Sequence, residues 1–73
     1  MINERHLRID KLIKEERTGN PEKFAAKIGL SRSHLYRILK TLKNRGAPIK
    51  YSRKISSFYY EESFSIEDLL NSN

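Results

Sequence analysis

Lysine and arginine are concentrated in one stretch of this 73-residue chain, residues 31–54. That stretch contains eight cationic side chains and neither aspartate nor glutamate, so its formal charge is +8. Residues 1–30 carry +2 and residues 55–73 carry −4, which gives the overall charge of +6. A dense group of cations without interspersed acids is typical of a surface that binds a polyanion.

Residue types that act as nucleophiles or general bases are present without the arrangement that catalysis requires. Ser31, Ser33 and His34 are close in sequence, but neighbours on one helix point in different directions and no third group is placed to orient the histidine. The chain has no cysteine, which removes disulfides and thiolate metal ligands, and it has no glycine-rich phosphate loop. We therefore expect no enzymatic activity, no cofactor and no metal site.

Three segments have the apolar spacing of amphipathic helices and would position the polar groups. The predicted helices cover residues 3–17, 21–28 and about 31–45. Gly19 is expected to end the first helix in a left-handed conformation, and Asn20 to cap the start of the second. Gly29 is expected to end the second helix, and Ser31 is a favourable N-cap for the third.

The third predicted helix has one apolar side and one basic side. Its apolar residues recur at i, i+3, i+4 and i+7, the spacing of a side that packs on a core. These residues are Leu35, Ile38, Leu39 and Leu42. A helix with only a structural role would normally mix charges of both signs on its solvated side.

A β-hairpin is predicted after the third helix, because the period of the apolar residues changes from 3.6 to 2. Pairing Ile49 with Tyr60 and Tyr51 with Phe58 places all four side chains on one face. A slip of one residue would bury Tyr59 instead, and the sequence does not distinguish the two registers.

The last segment, residues 61–73, is an acidic tail. One short helical turn is predicted within it, because Ser65 and Asp68 have the spacing of a capping box. The apolar residues of the tail either dock on the rest of the chain or on a second copy, or the tail is disordered. A homodimer or a larger protein partner would contact these residues together with Leu7 of the first helix. The tail residues concerned are Phe64, Ile66, Leu69 and Leu70.

The second and third predicted helices have the residue spacing of a helix-turn-helix. Ala25 supplies the small residue where the helices cross, Gly29 supplies the turn residue that tolerates a positive φ, and Leu35 anchors the following helix. Ile38 is the second anchor, three residues later. The alternative interpretation is that these residues only build a three-helix core, and the acid-free stretch 31–54 argues against it.

Residues 18–60 resemble the small bacterial winged helix-turn-helix DNA-binding proteins and are similar to the DNA-binding modules of DeoR-like and biotin-repressor-like regulators. The matching motifs are Thr18-Gly19-Asn20-Pro21-Glu22, the run from Phe24 to Ser33, Leu35-Tyr36-Arg37, Gly46-Ala47-Pro48-Ile49, Tyr51 and Phe58-Tyr59-Tyr60. The resemblance implies a mainly α fold with a small β-hairpin, a three-helix winged helix-turn-helix domain over residues 1–60 followed by the tail. It also implies a recognition helix at about 31–45 in the major groove and a wing at 52–57 on the backbone or in the minor groove.

The predicted wing departs from the family at Ile55-Ser56-Ser57, where glycine or asparagine is common. We therefore expect its turn to be longer or differently shaped.

The expected function is sequence-specific binding of double-stranded DNA by a bacterial, cytoplasmic transcription regulator. The chain has no apolar run long enough for a membrane span. The predicted DNA-binding residues are Ser31, Arg32, Ser33, His34, Tyr36, Arg37, Lys40, Lys43, Arg53 and Lys54. The first turns of the recognition helix would meet base edges, and the other cations would contact phosphates. One alternative is a winged-helix protein-interaction module that binds an acidic partner, and another is RNA binding through exposed tyrosines.

Overall fold

Three helices, a β-hairpin and a short C-terminal helix make up the computed structural model, which describes residues 3–70. The helices are α1 (Glu4–Lys14), α2 (Pro21–Ile28), α3 (Arg32–Asn44) and α4 (Glu67–Leu70), and the strands are β1 (Ile49–Ser52) and β2 (Ser57–Tyr60). The prediction of a mainly α fold with a small β-hairpin is confirmed. Of Leu70 only the backbone is described, so the contact predicted for its side chain lies outside the described part of the chain. No helix within residues 3–70 is long and apolar enough to cross a membrane.

Helix α1 ends three residues before the predicted boundary, at Lys14. Glu16 adopts a left-handed conformation with a φ of 55°, and the amide of Arg17 donates to the carbonyl of Leu12 over 3.0 Å. This bond belongs to the pair that closes a helix C-terminus in a Schellman motif. The prediction that Gly19 ends α1 is therefore wrong. Gly19 is left-handed, with a φ of 75°, but it lies in the loop beyond the helix.

Helices α2 and α3 begin at their predicted N-caps, and α2 ends at the predicted glycine. The side-chain oxygen of Asn20 accepts from the amide of Lys23 over 2.8 Å, and the hydroxyl of Ser31 accepts from the amide of His34 over 3.1 Å. Gly29 ends α2 with a φ of 79°, a conformation that costs glycine little because it has no Cβ. The chain therefore turns from α2 into α3 within three residues, as the sequence predicts.

The hydrophobic core lies between the three longer helices and the inner face of the hairpin. Ile9 and Ile13 of α1 and Phe24 of α2 are fully buried. The ring of Phe24 packs against that of Phe58 in β2, with ring centres 5.5 Å apart. The apolar side predicted for α3 is confirmed, and Ile38 packs at its edge. The buried residues of α3 are Leu35, Leu39 and Leu42.

The hairpin adopts the register that pairs Ile49 with Tyr60 and Tyr51 with Phe58. Ile49 and Phe58 are buried, as the alternation of side chains along a strand requires. Tyr51 is less covered than predicted, with 36% of its surface exposed, and its ring packs edge-on against that of Phe58, 4.9 Å between centres. The slip that would bury Tyr59 in place of Phe58 is excluded.

Two buried hydroxyl groups attach the hairpin to the loop between α1 and α2. The amide of Thr18 donates to Ser57 Oγ over 3.0 Å, and the amide of Phe58 donates to Thr18 Oγ1 over 2.9 Å. Thr18 and Ser57 are both buried. The hydroxyl of Thr18 thus accepts the hydrogen bond that the amide of Phe58 would otherwise donate to the carbonyl of a third strand. These bonds fix the hairpin relative to the start of α2.

One buried carboxylate, that of Asp10, joins α1 to β2 and to the C-terminal segment. Its side chain is 7% exposed. One oxygen accepts from the hydroxyl of Tyr60 over 2.7 Å and from the amide of Ile66 over 3.0 Å, and the other oxygen pairs with the ammonium of Lys14 over 3.1 Å. Burial, together with the bond to Asp10, raises the pKa of Tyr60 well above its usual range. The tyrosine therefore keeps its proton and remains a donor.

The C-terminal segment docks on its own chain. Ile66 is fully buried in the common core, and the ring of Phe64 packs edge-on against that of Tyr60, 4.9 Å between centres. The predicted capped turn forms, since the amide of Ser65 donates to the carboxylate of Asp68 over 3.0 Å. Of the alternatives predicted for the tail, Ile66 follows docking on the rest of the chain, because its surface is covered there.

Replacing Asp10 with alanine is expected to lower the free energy of unfolding by about 3 kcal/mol, because a buried hydroxyl and a buried amide lose their acceptor. Glu15→Ala is the matched control, since it removes an exposed carboxylate at the end of the same helix and should cost less than about 0.5 kcal/mol. Urea unfolding followed by circular dichroism measures both variants. Equal losses in the two would contradict the anchoring role of Asp10.

Candidate nucleic-acid interface

The eight cationic side chains of residues 31–54 are all exposed, and we refer to them together as the basic surface. They are Arg32, Arg37, Lys40, Lys43, Arg45, Lys50, Arg53 and Lys54. Within residues 3–70 none of them pairs with an acidic side chain, and the ion pair that does form joins Lys14 to Asp10. The charge of the basic surface is therefore not neutralised by the described protein groups and is available to an external anion.

Several cations nearer the N-terminus are used to hold the fold. The guanidinium of Arg8 donates to the carbonyl of Lys27 over 3.1 Å, and the ammonium of Lys27 donates to the carbonyl of Arg17 over 2.6 Å. Lys14 pairs with Asp10. The positive charge of these residues is directed at backbone carbonyls and a carboxylate of the same chain, in contrast to that of the basic surface.

The outward face of α3 carries two cations and two hydrogen-bonding side chains. Ser33, Arg37 and Lys40 follow the i, i+4 and i+7 spacing that places residues on one side of a helix, opposite the buried leucines. Asn44 continues the same face at i+11, and all four are exposed. Asn44 is not among the predicted contact residues, although its spacing from Lys40 identifies it as a member of this face.

Arg32 and Tyr36 form a pair on one flank of α3. The guanidinium carbon of Arg32 lies 6.0 Å from the centre of the Tyr36 ring, at the outer limit of a cation–π contact. Tyr36 is 43% exposed, so it is a surface residue and not part of the core. An arginine that rests on an aromatic ring loses less freedom when it binds a phosphate or a base. Arg32 is therefore better prepared for an external contact than an isolated side chain.

The first turn of α3 presents its backbone amides at the surface. Ser31 caps one of them, that of His34, through its hydroxyl. The free amides and the positive end of the helix dipole favour an anion at this position. The chief role of the Ser31 side chain is therefore to cap the start of α3.

His34 lies on the opposite flank of α3 from Tyr36, in a crevice that it shares with His6 of α1. The crevice has a volume of about 180 Å³ and is also lined by Arg37. Burial, and then nearby positive charge, lowers the pKa of His6. This favours the neutral ring, whose Nδ1 accepts a hydrogen bond from the amide of Asn3 over 3.1 Å. His34 therefore faces α1 as well as solvent, and Arg37 of the outward face lines the same crevice.

Arg53 and Lys54 lie in the four-residue loop that joins β1 to β2. The amide of Ser56 donates to the carbonyl of Arg53 over 3.3 Å, and the amide of Ile55 donates to the hydroxyl of Ser52 over 3.4 Å. Ser56 has a left-handed φ of 50°, so the turn closes without the glycine or asparagine that is usual there. Ile55 is not among the predicted contact residues, although the sequence places this apolar residue between two cations and two serines.

Metal-binding side chains are not clustered in the part of the chain that the structure describes. Among residues 3–70 no three histidine, aspartate or glutamate side chains are close enough to hold a metal ion. An open groove of about 660 Å³ lies between α1 and the C-terminal segment, and its lining includes Glu16, Glu61 and Glu62. Its charge is opposite to that of the basic surface.

The chain has no match among protein-family models, curated proteins or solved structures. A proposal of function therefore rests on the geometry and charge of its own residues.

Ser31→Ala is expected to lower the free energy of unfolding by about 1 kcal/mol, because the amide that the hydroxyl caps loses its acceptor. Ser33→Ala is the matched control, since Ser33 is exposed on the same helix and should change stability by less than about 0.5 kcal/mol. Thermal and urea unfolding measure the difference. Equal stability of the two variants would argue against the capping role.

Proposed function

We propose that this protein is a winged helix-turn-helix protein that binds double-stranded DNA in a sequence-specific manner and acts in transcriptional regulation. The observation that carries the proposal is the basic surface, eight exposed cations on α3, the segment after it and the hairpin, unpaired with any described acid. Duplex DNA is a regular polyanion whose major groove admits one α-helix. A helix and a neighbouring loop that both present uncompensated cations fit such a ligand.

The path of the chain supports the winged helix-turn-helix interpretation. α2 and α3 are joined by three residues, of which Gly29 is left-handed. The hairpin follows α3 directly and is held to the start of α2 by the bonds between Thr18 and Ser57. A helix pair with this short turn leaves the second helix free to enter a groove while the hairpin stands beside it.

In this proposal α3, with its flanking residues at about 31–45, is the recognition helix. Its 13 residues span roughly 20 Å, enough to follow the major groove while the first turns meet base edges. Arg37, at the centre of the outward face, is suited to bidentate contact with a guanine. Ser33 and Asn44 add hydrogen-bonding groups on the same face, and Arg32 approaches from the flank.

The remaining cations supply phosphate contacts, which provide most of the affinity and set the position of the protein on the duplex. Lys40 and Lys43 do so from the C-terminal half of α3, and Arg53 and Lys54 from the hairpin loop, which is the wing. The molecule measures 33 × 23 × 18 Å, and one turn of B-DNA is about 34 Å long. Both elements can therefore contact a single turn of duplex.

Selection of bound sequences from random duplex DNA tests the proposal directly. We expect an enriched motif, and an inverted repeat within it would indicate that two copies bind together, with the exposed Leu7 of α1 available for their contact. On the enriched sequence, log K should fall with log[salt] with a slope near −5 if about six phosphates are contacted. Binding that does not enrich any sequence, or that is unchanged between low and physiological salt, would contradict the proposal.

Arg37→Ala is expected to weaken binding to the selected site by about 5- to 150-fold, the range for losing one bidentate base contact. Lys11→Ala is the control matched in charge, because Lys11 is exposed on α1 outside the basic surface. It should change affinity by less than about threefold through long-range electrostatics alone. Fluorescence anisotropy with a labelled duplex measures both variants.

Equal effects of Arg37→Ala and Lys11→Ala would show that α3 is not the recognition helix. If the wild-type protein binds no duplex, and an acidic protein is instead bound through Arg37, the chain is a protein-interaction module.

A further inference from the structure

Ile55 exposes more of its surface than the other large apolar side chains that the structure describes. It is 46% exposed, against 43% for Leu7 and Tyr36, and it does not belong to the core. It directly follows Arg53 and Lys54 in the hairpin loop. A branched hydrocarbon side chain thus lies in water next to two cations at the end of the hairpin.

The loop is built so that this side chain stays at its end. The bonds from the amide of Ile55 to Ser52 and from the amide of Ser56 to Arg53 close the turn. Ser56 is held in the left-handed region, with a φ of 50°, which costs energy for a residue that is not glycine. Isoleucine is branched at Cβ and has few χ1 rotamers. Little conformational freedom therefore remains to be lost when Ile55 is buried by a ligand.

We propose that Ile55 enters the minor groove of bound DNA as an apolar wedge and partly opens one base step. This inference rests on the proposed function and specifies how the wing acts. The minor groove is about 6 Å wide, and apolar side chains inserted between base steps unstack them and bend the duplex toward the major groove. Arg53 and Lys54 hold phosphates next to the inserted residue, which offsets part of the cost of bending.

A wedge at this position adds sequence preference without any hydrogen bond to a base. Pyrimidine–purine steps such as TA and CA are the most easily kinked. The selected site should therefore contain such a step at a constant distance from the bases that α3 reads. Arg53 and Lys54 favour DNA over an apolar protein surface as the ligand, because an apolar surface would bury both cations without partners.

The bend is measured by energy transfer between dyes at the two ends of a duplex that carries the selected site. Wild-type protein should bend this duplex by at least about 20°. Ile55→Ser should abolish the bend and the preference for the flexible step, while affinity stays within about tenfold because the contacts of α3 remain. Ile55→Leu, which keeps an apolar side chain of equal size, should retain both.

Lys11→Ser is the control, because it places the same serine at an exposed position of α1 outside the basic surface and should leave the bend unchanged. Thermal unfolding checks that each variant is folded, and Ile55→Thr, which keeps the branched Cβ, takes the place of Ile55→Ser if the serine variant is destabilised. A bound duplex that wild-type protein leaves straight, or that Ile55→Ser bends equally, overturns the wedge while DNA binding stands. Failure of wild-type protein to bind any duplex overturns the proposed function and the wedge together.

Discussion

The arrangement of this small protein depends on how one buried carboxylate is satisfied. Asp10 lies in the interior of α1, where an unpaired negative charge would be strongly destabilising. Its acceptors are satisfied by the hydroxyl of Tyr60, the amide of Ile66 and the ammonium of Lys14, which belong to β2, the C-terminal segment and α1. These contacts thereby fix the position of Tyr60 at the end of the hairpin and of Ile66 in the core. The acidic segment is thus anchored on α1.

The cations of the molecule fall into two groups, one that bonds to protein groups and one that does not. The cations of α1 and α2 that bond to protein groups, Arg8, Lys14 and Lys27, hold helices and loops together. The cations of the basic surface have no such described partner. The hydroxyls of Thr18 and Ser57 then set the direction of the hairpin without using a charged group. The uncompensated charge remains on α3, the segment after it and the hairpin, the elements proposed to contact a duplex.

Much of the local structure could be predicted from sequence because it depends on residues a few positions apart. The caps formed by Asn20 and Ser31, the left-handed Gly29 and the apolar side of α3 all act within one or two helical turns. The end of α1 could not be predicted in this way. A glutamate rarely takes the left-handed conformation, yet Glu16 does, because the bonds closing the helix and the burial of Thr18 beyond it constrain the chain.

The sequence by itself determined the kinds of element, their order and the stretch in which cations go without acids, since composition and periodicity are local properties. The tertiary structure decided which hairpin register forms and that Ile66 belongs to the core. The contacts responsible join residues far apart in the chain, 39 positions from Thr18 to Ser57 and 56 from Asp10 to Ile66. No local pattern contains them, because they exist only once the helices, the hairpin and the C-terminal segment bury a common core.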